Sequence, residues 1–281
     1  METAYIKRTR NGKINIKAGN KITSVMNWTI LGLTVCTIIA FLLFDYTGLN
    51  WSTAISETLY NLKTMFLEPQ LNHFSWGEAF YQIGVTLGLA VLSTVIGGVI
   101  AFFLALMSAL NLSKAWLSKM IRVIMAFIRA VPTVLWVLIF AIAAGLGSEA
   151  AILGMLFHSI AYLTKAFSES FEEVDKGILE ALRATGASWW QVVKNGVLPT
   201  TFTYLLSWTF LRFEINFGVA VAMGAAAGAG GIGFELFMAS GFYFDLREVG
   251  FITYSILVVA LVLEIISTQM KKRYFPVTAE K

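Results

Sequence analysis

Charged residues are scarce in this chain of 281 amino acids. Asp, Glu, Lys and Arg make up 14% of it, whereas 57% of the residues are hydrophobic. An ordinary soluble domain carries roughly 25% charged residues, so this sequence has too few of them to cover the surface of a soluble protein. Disorder is excluded as well, because disordered chains are poor in aromatic residues, and Phe, Trp and Tyr supply 14% of this one. The composition predicts a protein whose solvent is lipid.

The residues that usually carry chemistry are also few. The single cysteine, Cys36, cannot form an internal disulfide, and the two histidines, His73 and His158, are too few to suggest a metal site. The P-loop pattern G-x-x-x-x-G-K-[ST] is absent from the sequence, so this chain should not hold ATP. Neither a nucleophile–base pair nor a carboxylate pair stands out. We therefore predict no catalytic residue, no bound cofactor, no metal and no enzymatic activity.

Long apolar runs, in contrast, are abundant. A helix needs about 20 mostly apolar residues to span a bilayer, and six segments meet this requirement. They cover approximately residues 25–44, 79–110, 121–146, 150–167, 199–227 and 249–270. Pro132 should kink the third of them, because proline lacks the N–H that a helix interior uses. The prediction is an all-α polytopic membrane protein with six transmembrane helices.

The positions of Lys and Arg predict the orientation, because these residues concentrate in short cytoplasmic segments. Segment 1–24 carries six of them before the first span, and the tail 271–281 begins with three more. Both termini are therefore predicted in the cytoplasm, with residues 45–78 forming an external loop. Attraction to anionic lipid headgroups explains the basic N-terminal segment, so we expect lipid rather than nucleic acid as its partner.

One predicted cytoplasmic segment, residues 168–198, has the wrong charge for a passive inside loop. It carries five acidic residues against three basic ones, whereas inside loops are normally enriched in Lys and Arg. A segment this polar in so apolar a chain is expected to meet a soluble partner. An amphipathic linker lying at the membrane surface is the alternative.

Local signals predict that this segment folds into an elbow of two short helices. Asp175 can cap the first helix, and Gly186 can end it in the left-handed conformation. Ser188 and Gln191 have the S-x-x-Q spacing of a capping box, which begins the second helix. Pro199 suits the first turn of the following span, where a missing N–H is tolerated.

A glycine-rich stretch follows the fifth predicted span. Gly228, Gly230 and Gly233 satisfy the G-x-G-x-x-G pattern, but that pattern binds dinucleotides only between a strand and a helix. Here it follows a membrane span, so we predict an outer glycine turn, formed with Gly231, that permits close helix approach. A gate contacting an external binding protein is the functional alternative.

Apart from Arg122, which is assigned to the loop before the third span, six Asp, Glu, Lys, Arg or His residues fall inside the predicted spans, where a charge at the bilayer centre costs at least about 2.5–3.5 kcal/mol. They are Arg129, His158, Lys165, Arg212, Glu214 and Glu264. Arg212 lies about 20 Å beyond Pro199 at 1.5 Å per residue, near the midplane, and shares a helix face with Asn216. It is predicted either to attract an oxyanion along a translocation path or to form an ion pair with Glu264 or with Glu214 of another chain.

Five short motifs occur in order along the chain. They are Arg-Ala-Val-Pro-Thr at 129–133, Glu-Ala-Leu-Arg-Ala-Thr-Gly-Ala at 180–187, Gly-Val-Leu-Pro at 196–199, Arg-Phe-Glu-Ile-Asn at 212–216 and Gly-Ala-Gly-Gly-Ile-Gly at 228–233. Over residues 79–270 the sequence resembles the permease subunits of phosphonate-type ABC importers. Two residues of the elbow depart from the family pattern, since Leu182 replaces the usual Ala and Gly196 the usual Ile. An Arg that often follows the fourth motif is replaced by Phe217-Gly218.

The resemblance implies a function and a set of site residues. It implies the type I ABC importer permease fold, a bacterial inner-membrane location, and alternating-access import of phosphonate, phosphite, hypophosphite or phosphate. The implied partners are a second copy of the chain, two ATPases that bind ATP and Mg²⁺, and an external solute-binding protein. The residues carried over to the ATPase-coupling loop are Glu180, Ala181, Gly186, Ser188, Trp189, Leu198 and Pro199. The candidates for the path or a polar seam are Arg129, Pro132, Arg212, Glu214 and Asn216. An ion-coupled secondary transporter or channel without an ATPase is the alternative function.

Overall fold

The computed structural model describes residues 21–274, and every regular element in that range is helical. The helices are α1 (Lys21–Leu43), α2 (Trp51–Leu67), α3 (Trp76–Ser108), α4 (Ala115–Ala130), α5 (Thr133–Ala144), α6 (Ser148–Glu172), α7 (Lys176–Ala184), α8 (Trp189–Val192), α9 (Leu198–Ala227), α10 (Ile232–Gly241) and α11 (Leu246–Tyr274). A π-helical turn, Val193–Val197, joins α8 to α9. The predicted basic N-terminal segment lies outside the described residues up to position 20, as does the predicted tail from position 275 onward.

The number of spans agrees with the prediction. Five helical stretches are long and apolar enough to cross a membrane, and the pair α4 and α5 makes a sixth if it is taken as one broken span. The five are Ile22–Leu43, Trp76–Ser108, Ser148–Glu172, Trp189–Ala227 and Leu246–Gln269. The cytoplasmic placement of both termini stays a prediction.

The third predicted span is broken more sharply than a kink. We expected one helix over 121–146, but α4 ends at Ala130, α5 begins at Thr133, and the two are bent by 88°. The residue before a proline avoids the helical conformation, and Val131 accordingly adopts φ −87° and ψ 124°. Pro132 then stands as the N-cap residue of α5. The proline therefore separates two helices.

Two helices were not predicted. The predicted external loop, residues 45–78, contains α2, and the connection between the last two spans contains α10. Neither reaches the length of about 20 apolar residues that identifies a span. The chain forms two units, residues 1–57 and 58–281, and the site described below lies in the second.

The core of the second unit lies where α3 and α9 pack against α6. Small residues bring the backbones together, as is usual between membrane helices. A Cβ on Gly97 of α3 would lie 2.9 Å from Ser159 Cβ of α6. Nearer the end of the bundle that carries the elbow (the elbow end), Leu106, Leu163 and Phe171 fill the core and are almost completely buried.

Candidate functional site

Helix α7 is the first of the two helices of the elbow, and both of its ends form as predicted. The Asp175 carboxylate accepts hydrogen bonds from the backbone N–H of Gly177 at 2.6 Å and of Ile178 at 3.4 Å. Gly186 has φ +79°, the left-handed conformation that ends helices at glycine. Leu179 turns into the core and is 2% exposed, while Glu180 lies on the exposed face.

The second helix of the elbow departs from the prediction at one point. Gln191 Oε1 accepts from the backbone N–H of Ser188 at 2.7 Å, and α8 begins at the expected residue, Trp189. We expected a separate short helix before a span that starts at Pro199. Instead the helix runs without interruption through the π-helical turn, where the Leu198 N–H donates to the Val193 carbonyl. A π turn widens the helix locally, which accommodates Pro199 and its missing N–H.

Hydrogen bonds fasten the elbow to the connection between α3 and α4. Trp189 Nε1 donates to the Leu112 carbonyl at 2.9 Å, and Arg183 Nη2 donates to the Asn111 carbonyl at 2.7 Å. Asn111 Nδ2 in turn donates to the carbonyl of Phe171 at the end of α6. Both helices of the elbow are thus held on the bundle, and Glu180 and Ala181 remain exposed on the outer surface of α7.

The two departures from the family pattern lie against each other. A Cβ on Gly196 would come within 2.7 Å of Leu182 Cδ1, and within 3.7 Å of Ile178 and Leu179 side-chain atoms. The leucine therefore occupies space that a side chain at 196 would need. In the family pattern, which has Ala at 182 and Ile at 196, the side chain at position 196 would fill this space instead.

We expect a strong coupling between substitutions at these two positions. Gly196→Ile overpacks the elbow and Leu182→Ala leaves a cavity, each at a cost of roughly 1–3 kcal/mol. The double variant should lose about 1–3 kcal/mol less unfolding free energy than the sum of the two single losses. Thermal unfolding of the four proteins in detergent measures this coupling. Strictly additive losses would mean that the two side chains do not share the space.

Arg212 and Asn216 are buried together, on one helix face as predicted. Ser159 Oγ of α6 accepts from Arg212 Nε at 3.0 Å and from Asn216 Nδ2 at 2.9 Å. Asn216 Nδ2 also reaches Thr94 Oγ1 of α3 at 2.7 Å. The guanidinium carbon of Arg212 lies 5.4 Å from the centre of the Tyr162 ring. This polar seam joins α3, α6 and α9, and the described contacts of Arg212 do not include Glu264.

The other path candidates lie elsewhere. Arg129 Nη1 donates to the Ala161 carbonyl at 2.9 Å, and Pro132 stands at the break between α4 and α5. Glu214 and Glu264 line a separate cavity of about 320 Å³ between α9 and α11. Of the five residues that the sequence suggests, the structure brings together only Arg212 and Asn216.

The predicted glycine turn connects α9 to α10. The φ angles are +61°, +75° and +73° at Gly228, Gly230 and Gly231. The turn is tied to α3, because Gln82 Oε1 accepts from the Gly231 N–H at 3.1 Å and Thr86 Oγ1 from the Ile232 N–H at 3.0 Å. Both sides of the turn are helical, so the strand that a dinucleotide fingerprint requires does not precede it.

A cluster that sequence reasoning missed lies beside the start of α11. His73, Asp245 and Glu248 each offer one side-chain nitrogen or oxygen that could coordinate a metal ion, and these atoms lie within 4.8 Å of one another. The buried Glu248 carboxylate accepts from the His73 N–H at 2.8 Å and contacts His73 Nδ1 at 2.6 Å. Burial raises the pKa of Asp245, but hydrogen bonds from Asn72 and from two backbone N–H groups outweigh it and lower the pKa overall. His73 is more than 170 positions away from Asp245 and Glu248 along the chain, so no spacing signal linked it to them.

Comparisons with known proteins agree with this architecture. The model of the family described as "Binding-protein-dependent transport system inner membrane component" matches residues 97–276. The chain is 31% identical over 231 residues to the phosphite transport system permease protein PtxC of Stutzerimonas stutzeri, a match that covers 82% of this chain and 83% of PtxC. It is 34% identical over 152 residues to the phosphate-import permease protein PhnE of Mycolicibacterium smegmatis, covering 54% of this chain and 28% of PhnE.

A solved structure shares the fold. A chain of the MetNI methionine ABC transporter, in an inward-facing conformation, superposes with a TM-score of 0.62. The match covers 72% of this chain and 99% of the MetNI chain, at 18% sequence identity.

Proposed function

The chain belongs to the binding-protein-dependent transport system inner membrane components, and from that premise we propose its substrate and its partners. As a member of this family it is a multi-pass inner-membrane protein and a permease subunit of an ABC importer, with the type I permease fold that its sequence predicts. The proposed cargo is a small phosphorus oxyanion, namely phosphonate, phosphite, hypophosphite or phosphate. The names of PtxC and PhnE support this class.

The observation that carries the proposed coupling is the exposed, anchored α7. Leu179 is buried against the core, Glu180 is exposed, and the Trp189 and Arg183 hydrogen bonds fix the position of the elbow. A partner that pushes on this surface moves α6 and α9 directly, because the elbow is continuous with both. We place the partner ATPase here and assign ATP and Mg²⁺ binding, and hydrolysis, to that subunit. A second copy of this chain, a second ATPase and an external solute-binding protein complete the proposed assembly.

The polar seam supports an anionic cargo. Arg212 is 2% exposed and its described partners, Ser159 and Tyr162, are neutral. Within the described residues, Arg212 Nη2 and Asn216 Oδ1 have no hydrogen-bond partner. A cation held this way stays able to attract an oxyanion when α6 and α9 separate during alternating access.

We expect the charge of Arg212, rather than its shape, to set the transport rate. Arg212→Gln should lower uptake per folded molecule roughly tenfold, equivalent to about 1.4 kcal/mol, while Arg212→Lys keeps most of it. Uptake in proteoliposomes is compared with the yield of monodisperse protein. If both variants lose yield but transport normally per folded molecule, the seam is structural.

The experiment that tests the proposed function is purification of the tagged chain from its native membranes in mild detergent. Mass spectrometry then identifies the proteins that co-purify. A P-loop ATPase in about equal amount supports the importer, and ATP-dependent uptake of phosphite, phosphonate and phosphate by the complex identifies the cargo. Recovery of the chain without an ATPase, together with uptake driven by an ion gradient, would favour a secondary transporter.

A further inference from the structure

A cavity of about 240 Å³ lies between α4 and α6 at the elbow end of the bundle, apart from the polar seam. Its polar wall consists of Ser108, Arg122, Arg129, Thr164, Lys165, Ser168 and Glu169. Pockets for drug-sized ligands begin at roughly 300 Å³, so this volume suits a small ion or a lipid headgroup.

Two buried hydroxyls in this wall have no hydrogen-bond partner in the part of the chain that the structure describes. Ser108 and Thr164 are each 1% exposed, and Ser108 Oγ and Thr164 Oγ1 meet no partner among the described residues. Nearby helical hydroxyls satisfy themselves on their own helix, as Ser170 does on the Ala166 carbonyl at 3.0 Å. Burying a hydroxyl without a partner costs folding free energy. An occupant of the cavity that accepts hydrogen bonds would recover that cost.

The charges around the cavity favour an anion. Arg122 pairs with Glu172, and Lys165 Nζ lies 3.7 Å from Glu169 Oε1. The hydrogen bond that Arg129 makes goes to a backbone carbonyl, which does not neutralise its charge. The cluster of three cations and two carboxylates therefore carries a net positive charge, beside two hydroxyls that have no acceptor among residues 21–274.

We propose that this cavity binds a tetrahedral phosphorus oxyanion. Arg129 and Lys165 supply the charge, and Ser108 and Thr164 donate hydrogen bonds to its oxygens. Phosphate oxygens pair well with guanidinium groups and hydroxyls, because they offer several acceptors on a compact anion. A free phosphate ion and the headgroup of an anionic phospholipid present the same chemistry. The cavity lies apart from α7, α8 and Arg212, although Arg129 is also one of the path candidates and the ligand has the chemistry of the proposed cargo.

The test removes only the two unpartnered hydroxyls, with the double variant Ser108→Ala and Thr164→Val. Within residues 21–274 neither hydroxyl has a hydrogen-bond partner, so its loss should leave the fold intact. The matched control, Ser170→Ala with Thr253→Val, removes two hydroxyls that bond to their own helices. All three full-length proteins are placed in phosphatidylcholine nanodiscs, and the rise of the unfolding temperature with inorganic phosphate gives the dissociation constant. In parallel, native mass spectrometry counts phosphatidylglycerol molecules retained after extraction from mixed vesicles.

The two measurements separate the sources of the ligand. A dissociation constant for phosphate that rises about tenfold in the double variant, but not in the control, assigns the site to a soluble ion. Loss of one retained phosphatidylglycerol per chain in the double variant alone assigns it to a lipid. If phosphate and phosphatidylglycerol bind equally well to all three proteins, or to none, the proposal is wrong. These readouts need neither an ATPase nor transport, so failure of the proposed function would not alter them.

A second substitution guards against a double variant that does not fold. Lys165 is exposed and its described ion pair is a loose one with Glu169, so Lys165→Gln should leave the fold intact. We expect phosphate or phosphatidylglycerol binding to weaken several-fold, and more at low salt than at high salt. Lys176→Gln, on the exposed surface of α7, is the charge-matched control. Equal binding in these two variants would overturn the proposal.

Discussion

Glu180→Lys is expected to release the proposed partner ATPase and to stop transport while the membrane helices stay folded. The side chain lies on the exposed face of α7, so reversing its charge should change the free energy of unfolding by no more than about 0.5 kcal/mol. If the partner surface complements a carboxylate, a lysine there introduces like-charge repulsion or an unpaired charge. Either effect weakens the binding free energy by several kcal/mol. We expect the co-purified ATPase and the ATP-dependent uptake to fall more than tenfold.

The matched control is Glu149→Lys. Glu149 is also exposed, but it lies in the first turn of α6, at the other end of that helix from the elbow. This charge reversal should keep both the ATPase and the uptake, with a small loss of stability from the helix dipole. Unfolding temperatures of both variants in detergent check that the chain is intact. If Glu180→Lys co-purifies with a normal amount of ATPase, α7 is not the coupling surface.

Features that depend on neighbours within a few residues could be predicted from the sequence. Asp175 caps α7 through N–H groups two and three residues ahead, and Gly186 ends the same helix through its own backbone. The spans follow from length and hydrophobicity alone. A kink at Pro132 was expected, because proline acts on the residue before it, but that local effect does not give the 88° angle between α4 and α5.

Features that depend on how the helices rotate and pack could not be predicted. Arg212 and Asn216 share a face by their spacing, but Ser159 and Thr94 become their partners only when α3 and α6 meet α9. The cavity hydroxyls, Ser108 and Thr164, come together in the same way. Helices α2 and α10 were missed for another reason, since a search for bilayer-length runs passes over short helices.

Gly233→Ala is expected to prevent the end of α9 from packing against α10. A Cβ at position 233 would lie far inside van der Waals distance of the Val221 carbonyl oxygen on α9, where no side-chain rotation relieves the clash. The neighbouring approach is equally tight, because a Cβ on Gly224 would lie 2.7 Å from the Gly230 carbonyl oxygen. The two backbones must separate to admit a methyl group, and overpacking of this kind costs roughly 3 kcal/mol or more.

Gly84→Ala provides the matched comparison for this substitution. Gly84 is a helical glycine of α3 with nothing within 4 Å of its added Cβ, so alanine should stabilise the helix by up to about 1 kcal/mol. Gly233→Ala is therefore expected to lower the unfolding temperature of the protein, whereas Gly84→Ala should maintain or raise it. Because the glycine turn is tied to α3 through Gln82 and Thr86, the loss should extend to the yield of monodisperse protein. Normal stability of Gly233→Ala would mean that α9 and α10 are not in close backbone contact. The glycine turn would then not be needed for their packing.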